Sequence, residues 1–190
     1  ATRMDRMKAS EIRELLKLLD QPDIISFAGG IPDPALFPTE AFQKALGNAL
    51  SPENQSTALQ YSVSEGYGPL RDWIVGKMTE IGVPCTRDNV LITSGSQQAL
   101  DYLGKLMLSP NDTALLGWPT YLGALGAFNA YEPHYDRLIP GGNRSAEDYA
   151  QTAKDNDGRV KFAYMSVDFA NPTGETLDQT ARENILDLAD

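Results

Sequence analysis

The 190-residue sequence predicts an α/β domain built around a mainly parallel sheet. Two observations carry this. Short apolar runs at 89–93, 113–118, 134–139 and 160–167 alternate with stretches of helical periodicity about 10–15 residues long, the pattern of successive βαβ units. Polar loops rich in Gly, Pro, Ser, Thr or Asn follow three of those runs, where an open sheet presents its carboxyl edge.

The elements follow in order. Ser10 can cap a helix over 10–20, with Ile12, Leu15, Leu16 and Leu19 on one face. Residues 21–38 are irregular and rich in Gly and Pro. Thr39 caps a helix to about Leu50, with Phe42, Ala45, Leu46 and Ala49 aligned. A loop-like stretch covers 51–68. Pro69 suits a first helical turn, and Leu70, Trp73, Ile74, Met78 and Ile81 give the next helix an apolar stripe. Asn89–Thr93 reads as a strand and Ser96–Leu108 as a helix. Thr113–Trp118 is a second strand, 120–131 helical, 134–139 a third strand, 146–155 helical and Val160–Val167 a fourth strand. Leu177–Asp190 begins another helix.

Composition narrows the function classes. Sixteen basic against 26 acidic side chains leave a formal charge of −10, which disfavours nucleic acid and anionic membranes as partners. Cys85 is the only cysteine, so neither an internal disulfide nor a multi-cysteine metal site is available, and a reducing cytoplasm is expected. No apolar run approaches the ~20 residues that cross a bilayer. Ala1 in place of Met points to processing or trimming at the start.

Three loops can carry chemistry. After 89–93 come Ser94, Gly95, Ser96 and Gln97, then a helix whose first turn offers unpaired N–H groups to an anion such as phosphate. The same residues also read as an ordinary Ser-capped helix. Tyr121, in Trp118-Pro119-Thr120-Tyr121, can lie flat on a planar ring or fill the core, while Trp118 reads as packing. Asn171, in Phe169–Gly174, can donate its amide to a phenolate oxygen from a loop shaped by Pro172 and Gly174, or make a plain Asn-Pro turn. Their coincidence on one sheet edge favours a ligand. His134, Cys85, Asp23, Asp33 and Asp168 show no partner at ligand spacing and read as surface or solvated groups. No metal site is expected.

Together these motifs resemble the fold-type I pyridoxal-phosphate-dependent aminotransferases, in the branch of 2-aminoadipate and kynurenine aminotransferases. SFAGGIPDP, LQYSVSEGYGPLR, TSGSQQAL, WPTY and NPTG occur here in the family's order, from about Ile25 onward. The resemblance implies a three-layer αβα fold with a mainly parallel sheet, the aspartate aminotransferase-like large domain, incomplete in this chain. Residues 1–38 would be an N-terminal helix and arm, and 39–190 the first part of that domain. It implies pyridoxal 5′-phosphate as cofactor, its phosphate cupped by Gly95, Ser96 and Gln97, its ring stacked on Tyr121 and its 3′-oxygen bonded by Asn171. Gly30 matches a substrate-carboxylate loop. Tyr61 matches a tyrosine that reaches across a dimer interface, so a homodimer is expected. Arg71 reads as a structural salt bridge. Relatives usually carry an acidic residue at Trp118, Gln at Ala170 and often Pro at Val167; these departures loosen the branch rather than the family.

The family's chemistry also needs a Schiff-base lysine, an aspartate on the pyridinium nitrogen and an arginine for the substrate carboxylate. In relatives these follow the NPTG loop. None of the seven lysines here stands in a Ser/Thr-rich strand-end loop, so the Schiff-base lysine is expected beyond Asp190 and the chain alone is expected to do no transamination. In the family's sheet the runs at 113–118, 134–139 and 160–166 are neighbours, whereas 89–93 pairs with a strand encoded later. The chain is therefore expected to be the N-terminal piece of a longer enzyme, nicked, truncated or completed by a second chain. That enzyme would exchange an amino group between an α-amino acid and a 2-oxo acid. The alternatives are the effector-binding half of a winged-helix transcription regulator, or another pyridoxal-phosphate enzyme such as a lyase.

Overall fold

Thr113–Gly117, the strand β1, is buried at every position because it lies between two parallel neighbours. His134–Leu138 (β2) flanks one side and Val160–Tyr164 (β3) the other, giving the order β2-β1-β3. The registers run Thr113 to His134 and Thr113 to Val160, with an irregularity between Thr113 and Ala114 on the β3 side. A computed structural model supplies this description, covering residues 1–7 and 32–189. The helix expected at 10–20, most of the arm and Gly30 lie outside the described residues.

Chain packing divides the molecule into two units: Ala1–Lys8 with Thr93–Asp190, and Ala9–Ile92. In the second unit, Thr39–Ala49 forms α1, Gln55–Ala58 the single turn α2, and Gly68–Glu80 α3. The turn α2 breaks what the sequence presents as loop. Leu70, Trp73 and Ile81 stay exposed, so the stripe on α3 is not covered among the described residues. Buried Arg71 donates to the Arg87 carbonyl at 2.6 Å, and Asp88 is its distant partner at 3.9 Å. The neighbouring Arg87 holds Asp72 through two hydrogen bonds. The Asp72 carboxyl is thereby held below its ordinary pKa.

In the first unit, Ser96–Met107 (α4) and Leu122–Phe128 (α5) cover one face of the sheet. Alternate strand side chains point to opposite faces. Ala114 and Leu116 of β1 meet Leu100, Leu108, Ala124, Ala127 and Phe128 on this side. Phe128 sets its ring edge-on to Phe162 at 5.0 Å and to Tyr164 at 5.8 Å. Gly104 lets α4 approach closely, since a Cβ there would sit 2.8 Å from the Tyr131 ring. On the opposite face Leu115 and Leu138 pack with Tyr149 of Ala146–Asp155 (α6) and with Ile185 and Leu188 of Gln179–Ala189 (α7). Helices on both faces make the unit three-layered, as the sequence implies.

Polar ties fix the strand starts. Buried Asp112 accepts from the Ser109 N–H at 2.9 Å and the Arg159 N–H at 3.2 Å, with Lys161 at 3.6 Å. The expected strand at 89–93 is absent. Arg87–Asn89 is a 3₁₀ turn, and Val90 is extended without a strand neighbour. The Ile92 N–H goes instead to the Glu65 carbonyl at 2.9 Å. A strand needs a ladder, and none of the described residues offers this run one. The last strand also ends earlier than expected, at Tyr164 rather than Val167.

Candidate functional site at the carboxyl edge of the sheet

The first loop reaches α4 through Gly95, whose φ of +80° and ψ of 170° belong to a backbone region nearly exclusive to glycine. Nothing lies within 4 Å of where its Cβ would be, so the space before the helix is open. The Thr93 hydroxyl donates to the Gly95 carbonyl at 3.0 Å, and the Ser94 N–H donates to the Gln98 side chain at 2.7 Å. No side chain caps α4. Ser96 is its first residue rather than its cap, which removes the Ser-capped alternative. The first-turn N–H groups and the positive dipole end face that opening.

The second loop carries Tyr121 at the start of α5. Its half-buried ring packs on the inner cluster and lies against Gly123, where any Cβ would collide with it. Gln97 donates its side-chain amide to the Gly123 carbonyl at 2.8 Å. The two loops thus meet at one residue. Trp118, expected in the packing, is instead 54% exposed, with the Arg137 guanidinium 5.1 Å over its ring. The ring needs no core to fill because the cation stabilises its face.

The third loop, 167–177, folds back on itself. The Leu177 N–H donates to the Val167 carbonyl at 2.9 Å, Ala170 to Glu175 at 2.8 Å, and the Phe169 N–H to the Thr176 hydroxyl at 3.1 Å. Asn171 stands at its exposed tip and enters a cis peptide bond with Pro172. A cleft of about 230 Å³ joins this loop to the second one, lined by Trp118, Thr120, Pro140, Ser166, Asn171 and Glu175 among others. Asp168 is not a free carboxylate as the sequence suggests: Arg182 of α7 pairs with it at 2.5 Å. Its partner lies fourteen positions on, outside any local pattern.

The structure therefore joins Gln97 to Tyr121 through Gly123, and Asn171 to Thr120 across the cleft. Ser96, Gln97 and Tyr121 do not line that cleft. Tyr61 belongs to the other unit and is 98% exposed. Thr120 and Glu175 line the cleft and Arg182 holds Asp168, placements that no local sequence pattern announces. Among the described residues no group of three His, Cys, Asp or Glu side chains could hold a metal, and no helix is long and apolar enough to cross a membrane. Chemically, the edge offers an anion seat at α4, an aromatic face at Tyr121 and an amide donor at Asn171.

No protein-family model matches the chain. It is 39% identical over 188 residues to the aromatic-amino-acid aminotransferase 1 of Thermococcus litoralis, covering 96% of this chain and 45% of that protein. It is 42% identical over 183 residues to the 2-aminoadipate transaminase of Thermus thermophilus, covering 96% and 44%. The Pyrococcus horikoshii kynurenine aminotransferase, solved in complex with PMP, superimposes with a TM-score of 0.83 at 40% identity, over 100% of this chain and 48% of that one. The chain spans about half the length of the curated relatives it matches. Its fold is that of an incomplete αβα, aspartate aminotransferase-like domain.

Proposed function

We propose that this chain, a relative of the fold-type I pyridoxal-phosphate aminotransferases, is the part of such an enzyme that seats the cofactor's phosphate and ring. Pyridoxal 5′-phosphate supplies, when bound, the electron sink that lets an amino group pass between an α-amino acid and a 2-oxo acid. Gly95, Ser96 and Gln97 hold the phosphate with backbone N–H groups and side-chain donors. Tyr121 covers one face of the ring, and Asn171 donates to the 3′-oxygen. The observation that carries this reading is the Gln97 amide on the Gly123 carbonyl beside the Tyr121 ring. It ties an anion seat to an aromatic face, the donor set that a flat phosphorylated ring requires.

Gly30 would meet the substrate carboxylate. Tyr61, exposed in this chain, would act across a homodimer interface. Residues 1–38 would be an arm and 39–190 the first part of the large domain, in a cytoplasmic enzyme. None of the three loops carries a lysine, so these loops would bind the cofactor without supplying the Schiff-base lysine of the reaction.

Equilibrium dialysis against pyridoxamine 5′-phosphate tests the reading, because this amine form cannot react with surface lysines. Saturable binding by the chain, lost in Ser96→Asp through repulsion of the phosphate, is expected. Equal binding by both proteins, or by neither, would overturn it.

A further inference from the structure

We infer that Arg182 is the positioning residue for Asn171, a role that rests on the cofactor reading above. The tip of the 167–177 loop has little apolar anchorage: Phe169 is 82% exposed and Asn171 is exposed beside it. Polar contacts must set its shape: bonds within the loop hold the tip, and side-chain contacts at its two ends converge on one guanidinium. Arg182 donates from Nε to the Leu177 carbonyl at 2.9 Å and from Nη2 to Asp168 at 2.5 Å. Longer contacts reach the second Asp168 oxygen at 3.5 Å and the Val167 carbonyl at 3.4 Å. Val167 and Asp168 enter the loop and Leu177 leaves it, so one side chain clasps both ends.

Arg182 is itself well placed to do this. It lies in the first turn of α7, where the Asp178 carboxylate accepts the Ala181 N–H at 2.8 Å and the Asp178 carbonyl accepts the Arg182 N–H at 3.1 Å. Ile185 and Leu188 then fix α7 to the sheet. The linkage runs from sheet to helix, from helix to guanidinium, and from guanidinium to the loop bearing Asn171. Only a planar fork reaches two carbonyls and a carboxylate at once; a lysine ammonium does not. A surface ion pair of this exposure contributes little to overall stability. Its effect belongs in the orientation of the amide donor.

The test is a double-mutant cycle on pyridoxamine 5′-phosphate affinity in the full chain, with inorganic phosphate binding measured alongside. Arg182→Ala is expected to weaken pyridoxamine 5′-phosphate by roughly fivefold, as for a lost hydrogen bond, with Arg182→Lys intermediate. Asn171→Ala gives a similar loss, and the double variant is no worse than either single one. Inorganic phosphate, which needs only the α4 seat, binds all variants alike. Asp168→Asn repeats the loss from the other side and carries the test if Arg182→Ala fails to fold. Wild-type affinity in both Arg182→Ala and Asp168→Asn, or fully additive losses in the double variant, overturns the positioning role while leaving the cofactor reading standing. No binding by the wild-type chain overturns both.

Discussion

The side-chain amide of Gln97 donates to the backbone carbonyl of Gly123 at 2.8 Å. The residues are 26 positions apart, and the bond fastens the open start of α4 to the first turn of α5, against which the Tyr121 ring lies. Two loops that are separate in sequence become one surface.

That tie can be cut without touching the ring. Gln97→Ala removes this tie together with a side-chain donor to the phosphate, and is expected to lower pyridoxamine 5′-phosphate affinity by at least about fivefold, the worth of one hydrogen bond near 1 kcal/mol. Isothermal titration measures it. An unchanged affinity would mean that neither the tie nor the Gln97 donor contributes to binding.

Gly95→Ala separates strain from collision. Open space surrounds the absent Cβ, so any cost comes from φ at +80°. A residue other than glycine held there costs about 1–3 kcal/mol. Urea unfolding should show a loss in this range, and a stability equal to wild type would place Gly95 in a different backbone conformation.

Phe128→Ala empties the middle of the inner cluster. The ring is 1% exposed and touches both Phe162 and Tyr164. Such deletions cost about 3–5 kcal/mol, enough to broaden or abolish the thermal transition. The transition midpoint by circular dichroism checks this.

Tyr135 makes stability sensitive to alkali. Burial pushes its phenol up to about 12, slightly opposed by Arg6, while its hydroxyl donates to Asn129 at 2.8 Å. The unfolded chain ionises this group near pH 10, below the folded value. The contribution is therefore complete below about pH 10 and is lost as pH rises towards 12. Tyr135→Phe, which cannot ionise, should show a flatter fall in unfolding midpoint across that window, though a lower midpoint at neutral pH. Parallel curves would refute the assignment.

Much of this was legible in the sequence where local rules decide. The helix at 146–155 is found at those bounds because Ser145 caps it by accepting the Asp148 N–H, and the three paired strands fall on their apolar runs. The run at 89–93 shows the limit, since an apolar pattern names a strand but cannot supply its neighbour. The stripe on α3 likewise specifies a face without saying what covers it. At the candidate site, motif chemistry singles out Gly95, Gln97, Tyr121 and Asn171, but not the Gln97–Gly123 bond that draws two of these loops together. The Asp168–Arg182 pair and the exposure of Trp118 depend on how α7 and β2 pack, which no short window of sequence contains.

A crystal structure of the chain with pyridoxamine 5′-phosphate would locate the phosphate, the ring and the 3′-oxygen at once. One bound molecule is expected, its phosphate on the N–H groups of Ser96 and Gln97, its ring on Tyr121 and its 3′-oxygen on the Asn171 amide. A ligand seated elsewhere, or a phosphate at α4 with the ring turned away from both Tyr121 and Asn171, would contradict it.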